Sequence, residues 1–252
     1  MTIQDFYREL KARFEQVLAD NGIGDDDAVA VTCRSLSPEE ASGNTVRRDF
    51  PILTGKDVMI QAEFRGSRGQ AFTEAPLEFS GSLSDVLASD LVGDEHARGL
   101  YIAVMNAVMR HLDRCRGTVH CRTDGPENCA GDILAWLREN YPDKKHIALV
   151  GYQPAMLSAL AASEYAVRAL DLNPANIGTD RCGVTVEDGV KDRDDVINGA
   201  DLILCTGSTI CNGTIVDYLG LDTEVVFFGM TIAGAAELMG LKRICFADKY
   251  EA

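Results

Sequence analysis

The stretch ADLILCTGSTICNGTI, residues 200–215, decides the fold. Asp201–Cys205 is an apolar run with no polar alternation, as in a strand covered on both faces. It gives way at once to Thr206-Gly207-Ser208-Thr209, then Asn212-Gly213-Thr214. The same grammar recurs on either side. An apolar strand over His146–Val150 precedes the turn Gly151-Tyr152-Gln153-Pro154 and a helix over Ala155–Ser163. A second strand, Tyr165–Leu170, ends at Asp171. Further strands are expected over Glu224–Phe228, leading into GMTIAGAAELMG, and over Arg243–Phe246. Apolar strands alternating with helices predict a parallel, doubly wound, Rossmann-like sheet.

Upstream the pattern differs. Ile3, Phe6, Leu10, Phe14, Val17 and Leu18 recur at helical spacing, so residues 2–20 read as an amphipathic helix. Strands are expected near Ala28–Cys33, Val58–Phe64 and Gln70–Phe79, with Arg65–Gly69 as a hairpin turn and a long helix over Glu95–Cys115. Strands placed before their main helix favour antiparallel pairing and an α+β unit. The expected division is 1–122 and 123–252, with a helix over 127–140 opening the second part.

The chain has 252 residues and a formal charge of −15, which repels phosphates and anionic lipid, so neither nucleic acid nor membrane is an expected partner. The acidic runs Asp25-Asp26-Asp27 and 191–195 lack the periodicity of a calcium loop. Charges interrupt every apolar stretch of the first twenty residues, which are not expected to be a signal peptide. Eight cysteines without an export signal point to reduced thiols and a cytoplasmic setting. Association of identical chains is left open.

In a doubly wound sheet, ligands bind beyond the carboxyl ends of the strands. Gly151 and Tyr152 follow the first strand, but no G-x-G-x-x-G accompanies them, which counts against NAD or FAD held in the usual way. Asp171 lies twenty positions after Gly151, where an acidic residue receives ribose hydroxyls, or serves only as a turn former. Thr206, Gly207, Ser208, Thr209 and Asn212 bring more hydroxyls and amides than one helix cap requires, so they are expected to contact the polar groups of a ligand. Thr231, at the end of the fourth strand, is expected to face the same ligand. Asn106 interrupts the apolar run YIAVMNAVM. It is either a satisfied core amide or the opposite wall of a cleft, and the cleft reading puts it among the site residues.

HCRTDGPENCA, residues 120–130, carries Cys121 and Cys129. Thr118–Cys121 reads as a short strand with Val119 and Cys121 on one face, and Cys129 lies on the apolar face of helix 127–140. Both thiols therefore point inward and read first as packing, with metal binding as the alternative. His120 alternates to the other face and is a poor co-ligand for them. No CxxC motif is present.

The segments VGYQPAMLSAL, LDLNPANIG, ADLILCTGSTICNGTI and FFGMTIAGAAELMGL, in that order, resemble a bacterial and archaeal heavy-metal chelation domain family. GKDVMIQAEFRGSRGQAFT and AVMNAVM resemble the companion N-terminal domain of the same proteins. The resemblance implies an enolase-N-terminal-like domain followed by a Rossmann-like one, with a site in the cleft between them. It adds Asn173, in LDLNPANIG, to the expected site. Roles suggested by the resemblance are metal chelation, or condensation or hydrolysis in making pterin-, flavin- or siderophore-like molecules. The second half is also similar to S-adenosylmethionine-dependent methyltransferases, so a transition metal and S-adenosylmethionine are the cofactors to consider. The expected partner is a small anionic or metal-chelating molecule, and a non-catalytic metal carrier using the two cysteines is a further alternative.

Overall fold

The computed structural model describes residues 1–24, 31–47, 49–51 and 58–250. Asp25-Asp26-Asp27 and the first residues of the strand expected near Ala28 lie outside the described residues. In chain order the first half holds α1 (Ile3–Asp20), β1 (Val31–Ser35), α2 (Pro38–Ser42), β2 (Val58–Phe64), β3 (Ser67–Thr73), β4 (Phe79–Gly81), α3 (Leu83–Leu87) and α4 (Glu95–His111). The second half holds α5 (Gly125–Asn140), β5 (His146–Val150), α6 (Pro154–Ala161), β6 (Ala166–Asp171), β7 (Asp180–Arg181), β8 (Val184–Asp188) and α7 (Arg193–Asn198). It closes with β9 (Leu202–Thr206), α8 (Thr209–Asn212), β10 (Val225–Phe228), α9 (Ala233–Met239) and β11 (Arg243–Ile244).

The four strands β1–β4 form an antiparallel sheet in the order β3-β2-β1-β4. Arg65 and Gly66 turn the β2–β3 hairpin with φ of 48° and 80°, the paired positive values of a tight two-residue turn. The run expected as one strand over Gln70–Phe79 is two. β3 stops at Thr73, ahead of Pro76, and the chain returns on the far edge as β4. α4 ends at His111 rather than Cys115, and Asp113 takes a φ of 53°, outside the helical region.

Strands β5–β11 form the second sheet, in the order β11-β10-β9-β5-β6-β8-β7. All pairs are parallel except β7 with β8. Setting aside the short β7, the strand order runs outward both ways from β5, with the reversal between β5 and β9. That is the doubly wound arrangement, and its reversal point is where such sheets open a crevice. The β7–β8 pair was not anticipated from the sequence. Alternate residues of each central strand divide between two apolar clusters. Ala148, Val150, Ile203 and Cys205 face one, and Ile147, Leu149, Leu202 and Leu204 face the other.

The two sheets share the first of these clusters. It runs from Phe6, Leu10 and Phe14 of α1 through α4 to Ile203, Phe227 and Ala235. Every residue of α4 from Ala97 to Met109 is buried, as befits a helix wrapped by protein on all sides. Each fully buried Ile102, Met105 or Val108 contributes ~1.5–3 kcal/mol. Close packing depends on Gly69, where an added Cβ would lie 2.2 Å from the Ala107 amide nitrogen of α4. The result is a mixed α/β protein in which the β3 edge of the antiparallel sheet overhangs the carboxyl ends of the parallel strands. No helix among the described residues is long and apolar enough to cross a membrane.

Candidate functional site

A cavity of about 200 Å³ opens at the reversal point. At ~30 Å³ per water it has room for about seven waters, or for one small ligand. Its floor is made by the loops after β5, β6 and β9, which supply Gly151, Tyr152, Asp171, Asn173, Thr206, Ser208, Thr209 and Asn212. The overhanging wall is Phe72, Thr73, Glu74 and Ala75 from the end of β3, with Glu95 from α4 and His120.

Gly151 has φ +86°, and a Cβ there would meet Thr206 Cγ2 at 2.5 Å. Only glycine lets the ends of β5 and β9 approach so closely. Asp171 organises the floor: its Oδ2 accepts from the Tyr152 amide at 2.7 Å and its Oδ1 from the Asn173 amide at 2.6 Å. Tyr152 donates its hydroxyl to Asp49 at 3.1 Å, and burial together with Asp49 pushes its pKa up to about 12. Thr206 and Ser208 pair their hydroxyls at 3.0 Å on the cavity surface. Thr209 is buried and donates to the Thr206 carbonyl, while Asn212 accepts from the Thr214 amide and hydroxyl. Hydrogen bonds within the loop, not a helix cap, therefore engage the Thr209 hydroxyl and Asn212 Oδ1. Thr206 and Ser208 line the cavity.

Three expected site residues lie elsewhere. Asn106 does not line the cavity. It is fully buried, its Nδ2 donates to the carbonyls of Gln70, Met230 and Thr231, and its Oδ1 accepts from the Gly234 amide. An amide with every hydrogen-bonding atom engaged inside protein is a core residue, and here it ties the two sheets together. Thr231 is buried too, accepting from the Phe72 amide at 3.0 Å and donating to Met230 Sδ, so its hydroxyl joins the β3 edge to the loop after β10. Gly207 packs on Ile232, where a Cβ would come within 2.8 Å. It is small because the loop after β9 is pressed against the start of α9.

Cys121 and Cys129 are buried, as their positions on the apolar faces implied. They are joined by Cys245, which the sequence placed in a strand core. The neighbouring Cys121 thiol and burial push Cys129 up to about 11 against the opposing influence of Cys245, while Cys129 and burial push Cys245 well above the usual thiol value. Metals bind the thiolate, so the raised pKa values of Cys129 and Cys245 dispose them poorly to hold one. Among the described residues no group of three or more His, Cys, Asp or Glu is arranged to hold a metal ion. The described residues therefore offer no seat for a metal held by protein donors alone. Replacing Cys121 and Cys129 together by Ser is expected to lower the melting temperature and leave the metal content of the purified protein unchanged, as read by elemental mass spectrometry.

His120 is the residue the sequence undervalued. Alternation correctly put it opposite Cys121, and that opposite face lines the cavity. Its Nδ1 lies 3.2 Å from the Ala41 carbonyl, its amide donates to Gln70 Oε1 at 2.7 Å, and its ring meets Phe72 edge-on with centroids 5.4 Å apart. Burial pulls its pKa down to about 4. Glu74, Glu95 and Asp171 are the other ionisable carboxylates at the cavity, and no lysine or arginine is found among its described lining residues. Glu95 reaches back to Arg98 at 3.4 Å, which partly offsets its charge. A surface of carboxylates, hydroxyls and a neutral imidazole suits a ligand that is cationic or rich in donors.

The fold is that of a doubly wound α/β protein with a cavity at its reversal point. Residues 135–241 match the model of the family described as "Putative heavy-metal chelation". A Desulfitobacterium hafniense protein of unknown function from the DUF364 family has a similar structure, with TM-score 0.53, 12% identity and coverage of 96% of this chain and 85% of that one. A Pyrococcus horikoshii protein of unknown function from the same family is similar at TM-score 0.50 and 17% identity, covering 88% and 79%. These likenesses bear on fold alone. No curated protein matches the sequence.

Proposed function

We propose that the protein binds a small metal-chelating molecule, with its metal as cargo, in the cavity between the β3 edge and the parallel strand ends. The family match supports a general metal-chelation role. The observation that carries the finer reading is the lining: carboxylates and hydroxyls converge there, while no three-donor metal site is found among the described residues. A chelator must then supply most of the metal's ligands. The carboxylates move the expected ligand from an anion toward a neutral or cationic chelate, because like charges repel across a low-dielectric cleft. We read 1–122 as the enolase-N-terminal-like unit and 123–252 as the Rossmann-like one. Each sheet is drawn from one of these segments, which supports the division.

The nucleoside reading keeps one supporting observation: Gly151 and Asp171 flank the reversal point, where doubly wound folds hold ribose. A thermal-shift panel separates the readings through ligand linkage. Cu(II)–diethylenetriamine, a cationic chelate with an open coordination position, is expected to raise the melting temperature. Anionic Cu(II)–nitrilotriacetate and inorganic phosphate are not. A shift with S-adenosylmethionine and none with the cationic chelate would overturn the chelate reading. Thr206→Val with Ser208→Ala is expected to weaken the chelate by ~0.5–1.5 kcal/mol per lost hydrogen bond, about two- to tenfold each. Stability should change less, because those two hydroxyls bond chiefly to one another.

A further inference from the structure

We propose that His120 is the protein's own ligand to the metal of the incoming chelate, through Nε2. This rests on the chelate reading above and names the group that reads the metal.

The argument begins with the ring's tautomer. A carbonyl oxygen can only accept, so the 3.2 Å contact with Ala41 requires the proton on Nδ1 of the neutral ring. Nε2 is then left with a lone pair. A backbone carbonyl holding Nδ1–H is the arrangement that fixes orientation and basicity in metal-ligating histidines. The ring is also fixed on its other sides. Gln70 Oε1 receives the His120 amide, Gln70 Nε2 donates to Gln61 Oε1 at 2.8 Å, and Phe72 packs edge-on.

His120 lines the cavity and is half-buried rather than sealed. Burial keeps the ring unprotonated across the neutral range, so the lone pair is available where a surface histidine would be partly blocked. Glu74, Glu95 and Asp171 line the same space and offset the charge of a divalent chelate. One imidazole cannot hold a metal against water, and no three-donor site is found among the described residues to help it. It can complete the coordination of a metal that a chelator already holds at three or more positions. Imidazole suits copper, nickel and zinc, so the class of ligand is a borderline transition-metal chelate with one open or exchangeable position.

The chain has four histidines. Replacing His96, His111 and His146 by Gln leaves His120 alone. Cu(II)–diethylenetriamine is titrated into this parent, and the complex is examined by electron spin-echo modulation, which detects the remote nitrogen of a coordinated imidazole. The expected result is modulation from one imidazole, lost in His120→Gln together with at least a tenfold loss of affinity. His120→Asn provides a second variant, and the melting transition of each shows that it is folded. Suppose affinity survives both substitutions with no imidazole modulation in the parent, while Thr206→Val with Ser208→Ala still weakens binding. Then His120 is not the ligand and the cavity reading stands. No binding to the parent, or binding indifferent to all these substitutions, overturns the cavity reading and this inference with it.

Discussion

Asn106→Ala is expected to lower stability by about 3–5 kcal/mol, because it strips partners from several buried backbone groups at once. The side chain donates to the carbonyls of Gln70, Met230 and Thr231 and accepts from the amide of Gly234, and it has no exposed surface. Gln70 belongs to the antiparallel sheet, and the other three residues belong to the loop and helix after β10. Alanine leaves the Gln70 and Thr231 carbonyls and the Gly234 amide without this partner, the Met230 carbonyl keeping the Ala233 amide, and opens a cavity where the side-chain amide stood. At ~2–4 °C per kcal/mol for a chain of this size, the melting temperature should fall by roughly 10 °C. Asn106→Asp should be no milder, since it presents an acceptor to three acceptors. Urea denaturation measures both. A loss below about 1 kcal/mol in either variant would show that the joint between the sheets is carried by apolar contacts alone.

Asn106 also shows where the sequence stopped being legible. A polar residue in YIAVMNAVM announced itself, yet its partners come from residues 70 and 230–234, and no local pattern joins such distant segments. The parallel strands were readable because burial on both faces leaves an uninterrupted apolar signature. His146–Val150 was bounded to the residue, and the others to within a residue or two. The β7–β8 pair escaped because Val184 and Val186 alternate with Thr185 and Glu187 in strands too short to carry a period. At the site, the floor was legible from the rule that ligands lie beyond strand ends. Gly151, Asp171, Asn173, Thr206 and Ser208 are indeed brought together there. The wall was not. Phe72, Glu74, Glu95 and His120 reach the cavity because the β3 edge overhangs the second sheet, a consequence of how α4 packs rather than of any motif.

The same overhang gives the protein an acid-sensitive group. Burial depresses the His120 pKa to about 4 from an ordinary value near 6.5. Between those values the unfolded chain takes up a proton that the folded ring refuses. Folding stability contributed by the neutral ring is therefore fully present above pH 6.5, and it is lost as the pH falls toward 4. The slope is at most ~1.4 kcal/mol per pH unit, giving an upper bound of about 3 kcal/mol across the window. Glu74, Glu95 and Asp171 share the cavity, and chain-wide carboxylates add their own acid dependence, so the slope of the native protein is not diagnostic by itself. The difference between native protein and His120→Gln is. Glutamine does not titrate, and its amide can donate to the Ala41 carbonyl in place of Nδ1–H. The variant is expected to be slightly less stable at pH 7.5, and the gap should narrow or reverse by pH 4.5. Urea midpoints measured at half-unit intervals from pH 4.5 to 8 test this. Parallel curves for the two proteins would mean that His120 titrates normally, with its ring open to solvent rather than held dry at the mouth of the site.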